Sequence, residues 1–272
     1  MPSRKVDKAV VLAAGKGTRM RRPDRRVRLS AEQGALADAG LKTLIPVGAA
    51  GRPFLDYLLA ALAEAGIRRV CLVVAPSHDE LRAFCERHRQ LSVELAVQAE
   101  PRGTADALLA AREFVNDDPF LLLNSDNYYP PEVLRLLGGI DEPGVVGFLR
   151  ERLLARSGAN IPAERIAQFA ILRRDTEGYL ISVVEKPEPA SYAQLPEPVL
   201  VSMNCWRFAP SIFRACRAIE PSSRGELELT AAVQASVDRL GVRYRVLVSE
   251  APVLDLSRRD DIPAVAELLG ER

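Results

Sequence analysis

The sequence predicts an α/β protein: a three-layer sandwich with helices on both faces of a mixed, mostly parallel central sheet. Three observations carry this. Short apolar runs alternate with longer segments at helical spacing, the pattern of repeated β-α-β units. The first run, residues 6–14, is apolar almost throughout and is followed by Gly15, as in a strand buried on both faces. With 272 residues and 48% hydrophobic composition, the chain has enough apolar surface for a full core. We read residues 1–272 as a single domain with two halves, 1–140 and 141–272.

A glycine-bearing loop follows the first strand. In the stretch between Arg19 and Lys42, Ser30 is placed to cap a helix whose N3 residue is Gln33 and whose stop is Gly40. This reads either as a neutral surface insertion or as a lid over the glycine loop, with residues 24–41 as a mobile flap. Residues 54–65 have apolar positions at helical spacing and stop at Gly66, and 69–75 form the next buried strand. The alternation continues with a polar helix over 77–89, a strand over 93–98, a helix over 104–114 and a strand over 120–124. Ligands of such a sheet bind at the carboxyl ends of its strands. Beyond Asp141 the pattern changes, because 145–149, 169–173 and 179–184 are strands with hairpin-like connections, so the sheet becomes mixed. The tail predicts a helix through Leu240, short strands near Val246 and Val253, and a last helix from about Asp260.

Charge and cysteine usage exclude several classes. Thirty-seven basic against 36 acidic residues leave a net charge of +1, without the basic excess of a nucleic-acid-coating or membrane-binding protein. Cys71, Cys85, Cys205 and Cys216 are scattered and fit a reducing compartment. The early apolar run is too short for a signal-peptide core, and no run is long enough to span a bilayer. The expected location is cytoplasmic; homo-oligomerisation stays open. Only five lysines occur, at positions 5, 8, 16, 42 and 186, so arginine is the default cation.

Six motifs bear chemistry. In Leu12-Ala13-Ala14-Gly15-Lys16-Gly17-Thr18-Arg19, small residues let backbone amides approach a phosphate chain while Lys16 and Arg19 neutralise it. The spacing is neither Walker A nor the dinucleotide G-x-G-x-x-G, which weakens kinase and hydride-transfer readings. Lys42 enters an apolar run through Pro46. Gln98, Gly103 and Thr104 lie where a strand passes into a helix, and an amide there can pair with the edge of a base. Asp126 ends an apolar strand, as a ligand for Mg²⁺ would. Glu185 and Lys186 set a hydroxyl acceptor beside a phosphate-seeking cation. Asp255 is a second carboxylate in an apolar strand. His78 and His88 read as solvated, Trp206 and Tyr192 as packing residues, and Tyr128 and Tyr129 as equally able to line the pocket or pack.

Together these residues resemble the sugar-1-phosphate nucleotidyltransferases, whose loop reads L-A-A-G-x-G-T-R and is followed by K-x-L-x-P-V. The likeness runs from Ala9 to about Ile262 and includes Q-A-E-x-x-G-T-A, E-K-P, the stretch Asn204-Cys205-Trp206-Arg207-Phe208 and the segment from Arg224 to Thr230. Departures are the long insertion after Arg19, Asn124-Ser125 before Asp126, and Ala231 after Thr230. The resemblance implies a Rossmann-like, GT-A-like fold with a nucleotide-binding first half and a sugar-phosphate-binding second half. It implies attack of a sugar 1-phosphate on the α-phosphorus of a nucleoside triphosphate, with Mg²⁺ as cofactor and pyrophosphate as leaving group. Arg19, Lys42 and Lys186 would be catalytic. Leu12 through Thr18 with Gln98, Gly103 and Thr104 would bind nucleotide; Gly147, Glu185 and Asn204 would bind sugar; Asp126 and Asp255 would hold the metal. Gln98 favours UTP or dTTP, although the run after Gly103 also resembles the ADP-glucose branch and Glu100-Pro101 the GDP-mannose branch. Two rivals stand: a catalytically inactive regulatory subunit, and CMP transfer to an alcohol phosphate such as phosphocholine, with Trp and Tyr near Asn204 caging the ammonium.

Overall fold

Strand β1 (Lys8–Leu12) lies inside a nine-stranded sheet, and its residues Ala9, Val10 and Val11 are fully buried. A computed structural model describes residues 6–48, 50–185, 187, 195 and 197–270. After β1 come α1 (Thr18–Arg21), α2 (Ala31–Ala39), the small hairpin of β2 (Pro46–Val47) and β3 (Arg52–Pro53), and α3 (Phe54–Glu64). Strand β4 (Arg69–Val74), helix α4 (Asp79–Arg87), strand β5 (Ser92–Val97), helices α5 (Thr104–Ala110) and α6 (Arg112–Val115), and strand β6 (Phe120–Asn124) complete this half. Strands β4 and β6 flank β1 in parallel, and β5 adds in parallel to β4. Adjacent residues of β1 point to opposite faces. Val11 joins the core under Leu55, Leu58 and Leu62 of α3, whereas Val10 joins the core with Ala105 and Leu108 of α5. That is the three-layer arrangement expected.

The second half contains β7 (Asn127–Tyr128), α7 (Pro131–Gly138), β8 (Gly144–Leu149), α8 (Arg150–Arg156), α9 (Ala163–Ile166), and the hairpin of β9 (Ala170–Arg174) and β10 (Leu180–Val184). The long strand β11 (Leu200–Phe208) joins the halves. It runs antiparallel to β6, β8 and β9, and its Ser202–Trp206 stretch is irregular against β8. Then follow α10 (Ile212–Ala218), α11 (Leu229–Leu240), β12 (Arg245–Ser249), β13 (Leu254–Asp255) and α12 (Asp261–Gly270). Strand β12 is parallel to β8, so β1, β4, β5, β6, β8, β9 and β12 point one way and β10 and β11 the other. The sheet is mixed and mostly parallel.

The insertion forms the helix its capping residues predict. Gln33 N–H donates to Ser30 Oγ at 3.1 Å, Ser30 N–H donates to Gln33 Oε1 at 3.0 Å, and Gly40 ends the helix at φ +76°. The helix is docked: Ala37 is fully buried, Arg21 donates to Ala39 O at 2.8 Å, Gln33 Nε2 donates to Pro46 O at 2.9 Å, and Arg259 pairs with Asp38. These tethers make it part of the wall behind the glycine loop. All four cysteines are buried and free. No helix among the described residues is long and apolar enough to cross a membrane.

Candidate active site

The carboxyl end of β1 opens into a loop whose shape depends on glycine. Gly17 has φ +62°, and a Cβ there would stand 2.6 Å from Gly40 O, so this loop and the end of α2 meet backbone to backbone. Above it lies a cavity of about 510 Å³. Leu12, Ala13, Ala14, Gly15, Lys16, Thr18, Arg19, Lys42, Gln98, Gly103, Thr104 and Asp126 all line it; Gly17 supports the loop from behind. A second cavity of about 420 Å³ is lined by Glu185, Asn204 and Asp255 among others. Arg19, Asn124 and Asp126 border both, so the two cavities meet at the end of β6.

Asp126 stands at that junction. Lys42 Nζ donates to its Oδ2, and Ser257 Oγ donates to the same oxygen at 3.4 Å. Burial pushes this carboxyl up, but Lys42 first, then a backbone hydrogen bond and Arg19, more than offset that and hold it below the usual carboxylate range. Asp255 reaches the site because β13 pairs with β7 and Leu256 N–H donates to Asp126 O at 2.8 Å. Burial, then repulsion from Asp126, push Asp255 up to about 6, with Arg165 opposing. Arg165 is itself 5% exposed, donates to Asp255 Oδ1 at 2.8 Å and forks onto Asp261. Asn160 clamps the Asp255 backbone through two bonds of 2.8 Å.

On the far wall, Gln98 directly follows β5 and is 6% exposed. Its Nε2 donates to Gly103 O at 3.0 Å and to Asp106 Oδ2 at 2.9 Å. Both amide hydrogens are therefore engaged within the protein, which corrects the expectation that the side chain offers a base one acceptor and two donors. Gly103 has φ +120°, and a Cβ there would stand 2.6 Å from Leu227 N. Its glycine is demanded by this contact with the segment before α11. Thr104 Oγ1 accepts from Leu229 N–H at 2.9 Å, so it also fastens that segment. Asn204 sits in the irregular stretch of β11 at φ +54°, a conformation asparagine tolerates and functional sites often hold. Its Oδ1 accepts from Trp206 Nε1 at 3.3 Å.

Several expectations are corrected. Gly147 lines neither cavity. It lies within β8, paired with Ser202 and Val248, and a Cβ would meet Leu200, Val246 and Leu172 at 3.2–3.4 Å, so its smallness serves sheet packing. His78 is not simply solvated but lines the first cavity, and the His88 side chain is only 5% exposed beside Asp56. Tyr128 and Tyr129 are buried, and Tyr129 donates to Met203 O. Trp206 is fully buried and stacked on Phe208 at 5.5 Å, so it cannot form part of an ammonium cage. Lys186 and Tyr192 lie outside the described residues. The residues that sequence reasoning missed are Arg165, Asp261, Asn160 and Ser257. They belong to no motif, and only the spatial approach of α9 to the start of α12 reveals them.

A glycine-lysine loop at the end of the first strand of a mixed α/β sheet opens into one polar cavity, the part-buried Asp126 stands where this cavity meets a second, and the buried Asp255 lines the second. The profile of the family described as "Nucleotidyl transferase" matches residues 8–256, and this chain belongs to that family. It is 33% identical over 236 residues to a glucose-1-phosphate thymidylyltransferase of Streptomyces antibioticus, covering 85% of this chain and 57% of that protein. It is 27% identical over 231 residues to the UTP–glucose-1-phosphate uridylyltransferase AglF of Haloferax volcanii, covering 83% of this chain and 81% of that one. The chain spans 57% of the length of that thymidylyltransferase and 57% of that of a second one, from Streptomyces griseus, to which it is 32% identical. The fold is that of a UDP-glucose pyrophosphorylase solved with UDP-glucose, at TM-score 0.73 and 17% identity over 98% of this chain and 100% of that one.

Proposed function

We propose that this protein transfers a nucleotidyl group from a nucleoside triphosphate to a sugar 1-phosphate such as glucose 1-phosphate, giving a nucleotide sugar and pyrophosphate. The observation that carries this is the junction at Asp126, where one cavity lined by the glycine loop meets another lined by Glu185 and Asn204. Two substrates held one on each side would bring their phosphates together at Arg19, Lys42 and Asp126. The two cavities belong to residues 1–140 and 141–272 in the main, working as halves of one domain.

The chemistry needs no covalent intermediate. Transfer at an α-phosphorus is catalysed by positioning and charge neutralisation. The backbone from Leu12 to Thr18, with Lys16, cradles the triphosphate. Arg19, shared by both cavities, balances charge on the leaving pyrophosphate. Lys42, paired with Asp126 at rest, turns to the α-phosphate oxygens. Glu185 and Asn204 hold sugar hydroxyls, and Lys186 takes the sugar phosphate.

The donor set fits a hard divalent cation such as Mg²⁺, because the part-buried Asp126 and the buried Asp255 border one cavity, where burial first and then repulsion from Asp126 raise Asp255. Asp126 and Asp255 would hold it, and when bound it supplies positive charge to phosphate oxygens.

Gln98 presents its carbonyl to the nucleotide cavity, which suits the N3–H of uracil or thymine; UTP or dTTP is the favoured donor. The names of the thymidylyl- and uridylyltransferase relatives support this choice. The buried Trp206 weighs against phosphocholine as acceptor. The pairing of Lys42 with Asp126 in a formed cavity weighs against an inactive subunit. The test is pyrophosphate release with five nucleoside triphosphates against several sugar 1-phosphates. Turnover requiring both substrates is expected; release independent of any sugar phosphate would overturn the reading.

A further inference from the structure

Asp106 lines neither cavity, yet its geometry fixes how the nucleotide cavity addresses a base. It lies in the first turn of α5 with its side chain 8% exposed. Its Oδ2 accepts one amide hydrogen of Gln98 at 2.9 Å, and Gly103 O accepts from the same nitrogen at 3.0 Å. A primary amide has two hydrogens, so both are committed to these oxygens. Rotating the amide by half a turn would set Gln98 Oε1 against the Gly103 carbonyl and the Asp106 carboxylate, three acceptors with no hydrogen between them. Only one orientation is tolerated, with the amide nitrogen towards the protein and Oε1 left for the cavity. Asp106 cannot easily turn away, because Arg102 donates to its Oδ1 through Nε at 3.2 Å and Nη2 at 2.7 Å.

We propose that Asp106 is a specificity-determining positioning residue: by locking the Gln98 amide with its carbonyl facing the cavity, it selects bases that present an N–H at that edge. Uracil and thymine do so through N3–H. Cytosine N3 and adenine N1 present lone pairs there and meet an acceptor. Guanine N1–H satisfies the same criterion, so the exclusion of guanine does not come from this pair. The inference rests on the proposed reading of Gln98 as the residue that meets the base.

The experiment compares kcat/KM for UTP and CTP, with glucose 1-phosphate as acceptor, in the wild type and in Asp106→Asn, Asp106→Ala and Gln98→Ala proteins. In Asp106→Asn the new amide can donate to a turned Gln98 Oε1, so both orientations become available and the UTP:CTP ratio is expected to fall about tenfold or more. Asp106→Ala, which removes an acceptor without adding a donor, should move the ratio the same way and serves if the Asn protein does not fold. A purely structural role would lower both rates and leave the ratio unchanged. If Gln98→Ala collapses the ratio while both Asp106 variants preserve it, the role of Asp106 is wrong. If Gln98→Ala itself preserves the ratio, the base reading on which the inference rests has failed.

Discussion

Exchange of Gly103 for alanine should disturb the protein far more than the addition of one methyl suggests. The residue has φ +120°, a region that side chains rarely adopt, and holding alanine there costs about 1–3 kcal/mol. The new Cβ would also stand 2.6 Å from Leu227 N and closer still to Leu227 O, and forced overpacking adds about 1–3 kcal/mol. The sum is about 2–6 kcal/mol, a large part of the roughly 5–15 kcal/mol that holds a typical domain folded. The chain can relieve the clash only by parting the two segments there. That breaks the bonds from Leu227 N–H to Arg102 O at 2.7 Å and from Ala105 N–H to Leu227 O at 2.9 Å. The loop between β5 and α5, which carries Gln98, and the first turn of α5, which carries Asp106, would then lose their brace. Urea denaturation and the KM for the nucleoside triphosphate measure the two consequences. A Gly103→Ala protein with unchanged midpoint and unchanged KM would refute the claim that this glycine is required by the approach of Leu227.

Asp126→Ala should abolish turnover in saturating Mg²⁺ while leaving the far-ultraviolet circular dichroism spectrum unchanged; near wild-type turnover would remove Asp126 from the site. Arg165→Leu leaves Asp255 and Asp261 buried without their shared cation and is expected to cost about 3–5 kcal/mol in denaturant titration. Burial depresses the pKa of the His88 imidazole, partly opposed by Asp56 at 3.6 Å, so the native state favours the neutral ring. Stability from this group is therefore present above its ordinary pKa of about 6.5 and lost as pH falls through and below it. A His88→Leu protein should show a shallower loss of melting temperature from about pH 7.5 to 5.5 than the wild type, and an equal slope would show that His88 contributes none of it.

The sequence made some of this legible because local chemistry decided it. Ser30, Gln33 and Gly40 specify both ends of α2 without reference to the rest of the chain, and the structure has that capping box. The parallel strands were visible because strands covered on both faces must be apolar throughout. The glycine loop, Lys42, Gln98, Gly103 and Asp126 converge on one cavity, since strands in parallel bring their carboxyl ends to one edge. Where partners are distant in sequence, legibility failed. Residues 200–208 form the strand that joins both halves, but its pairing with three different strands is a tertiary fact. Helix α7 begins at Pro131, a residue type whose fixed φ and missing N–H suit the first helical position. Gly147 was placed beside the sugar from resemblance, whereas its neighbours are Leu200 and Val246. Arg165 has no pattern around it that marks a buried cation; its role exists only because Asp255 and Asp261 arrive from 90 and 96 residues away.

The most direct test is to identify the product when the protein is given UTP, glucose 1-phosphate and Mg²⁺, by phosphorus-31 magnetic resonance and mass spectrometry. The account predicts a nucleotide sugar and pyrophosphate in equal amounts, with no free nucleoside monophosphate. Consumption of triphosphate that yields nucleoside monophosphate and pyrophosphate, or no consumption with any pyrimidine triphosphate and sugar 1-phosphate tried, would contradict it.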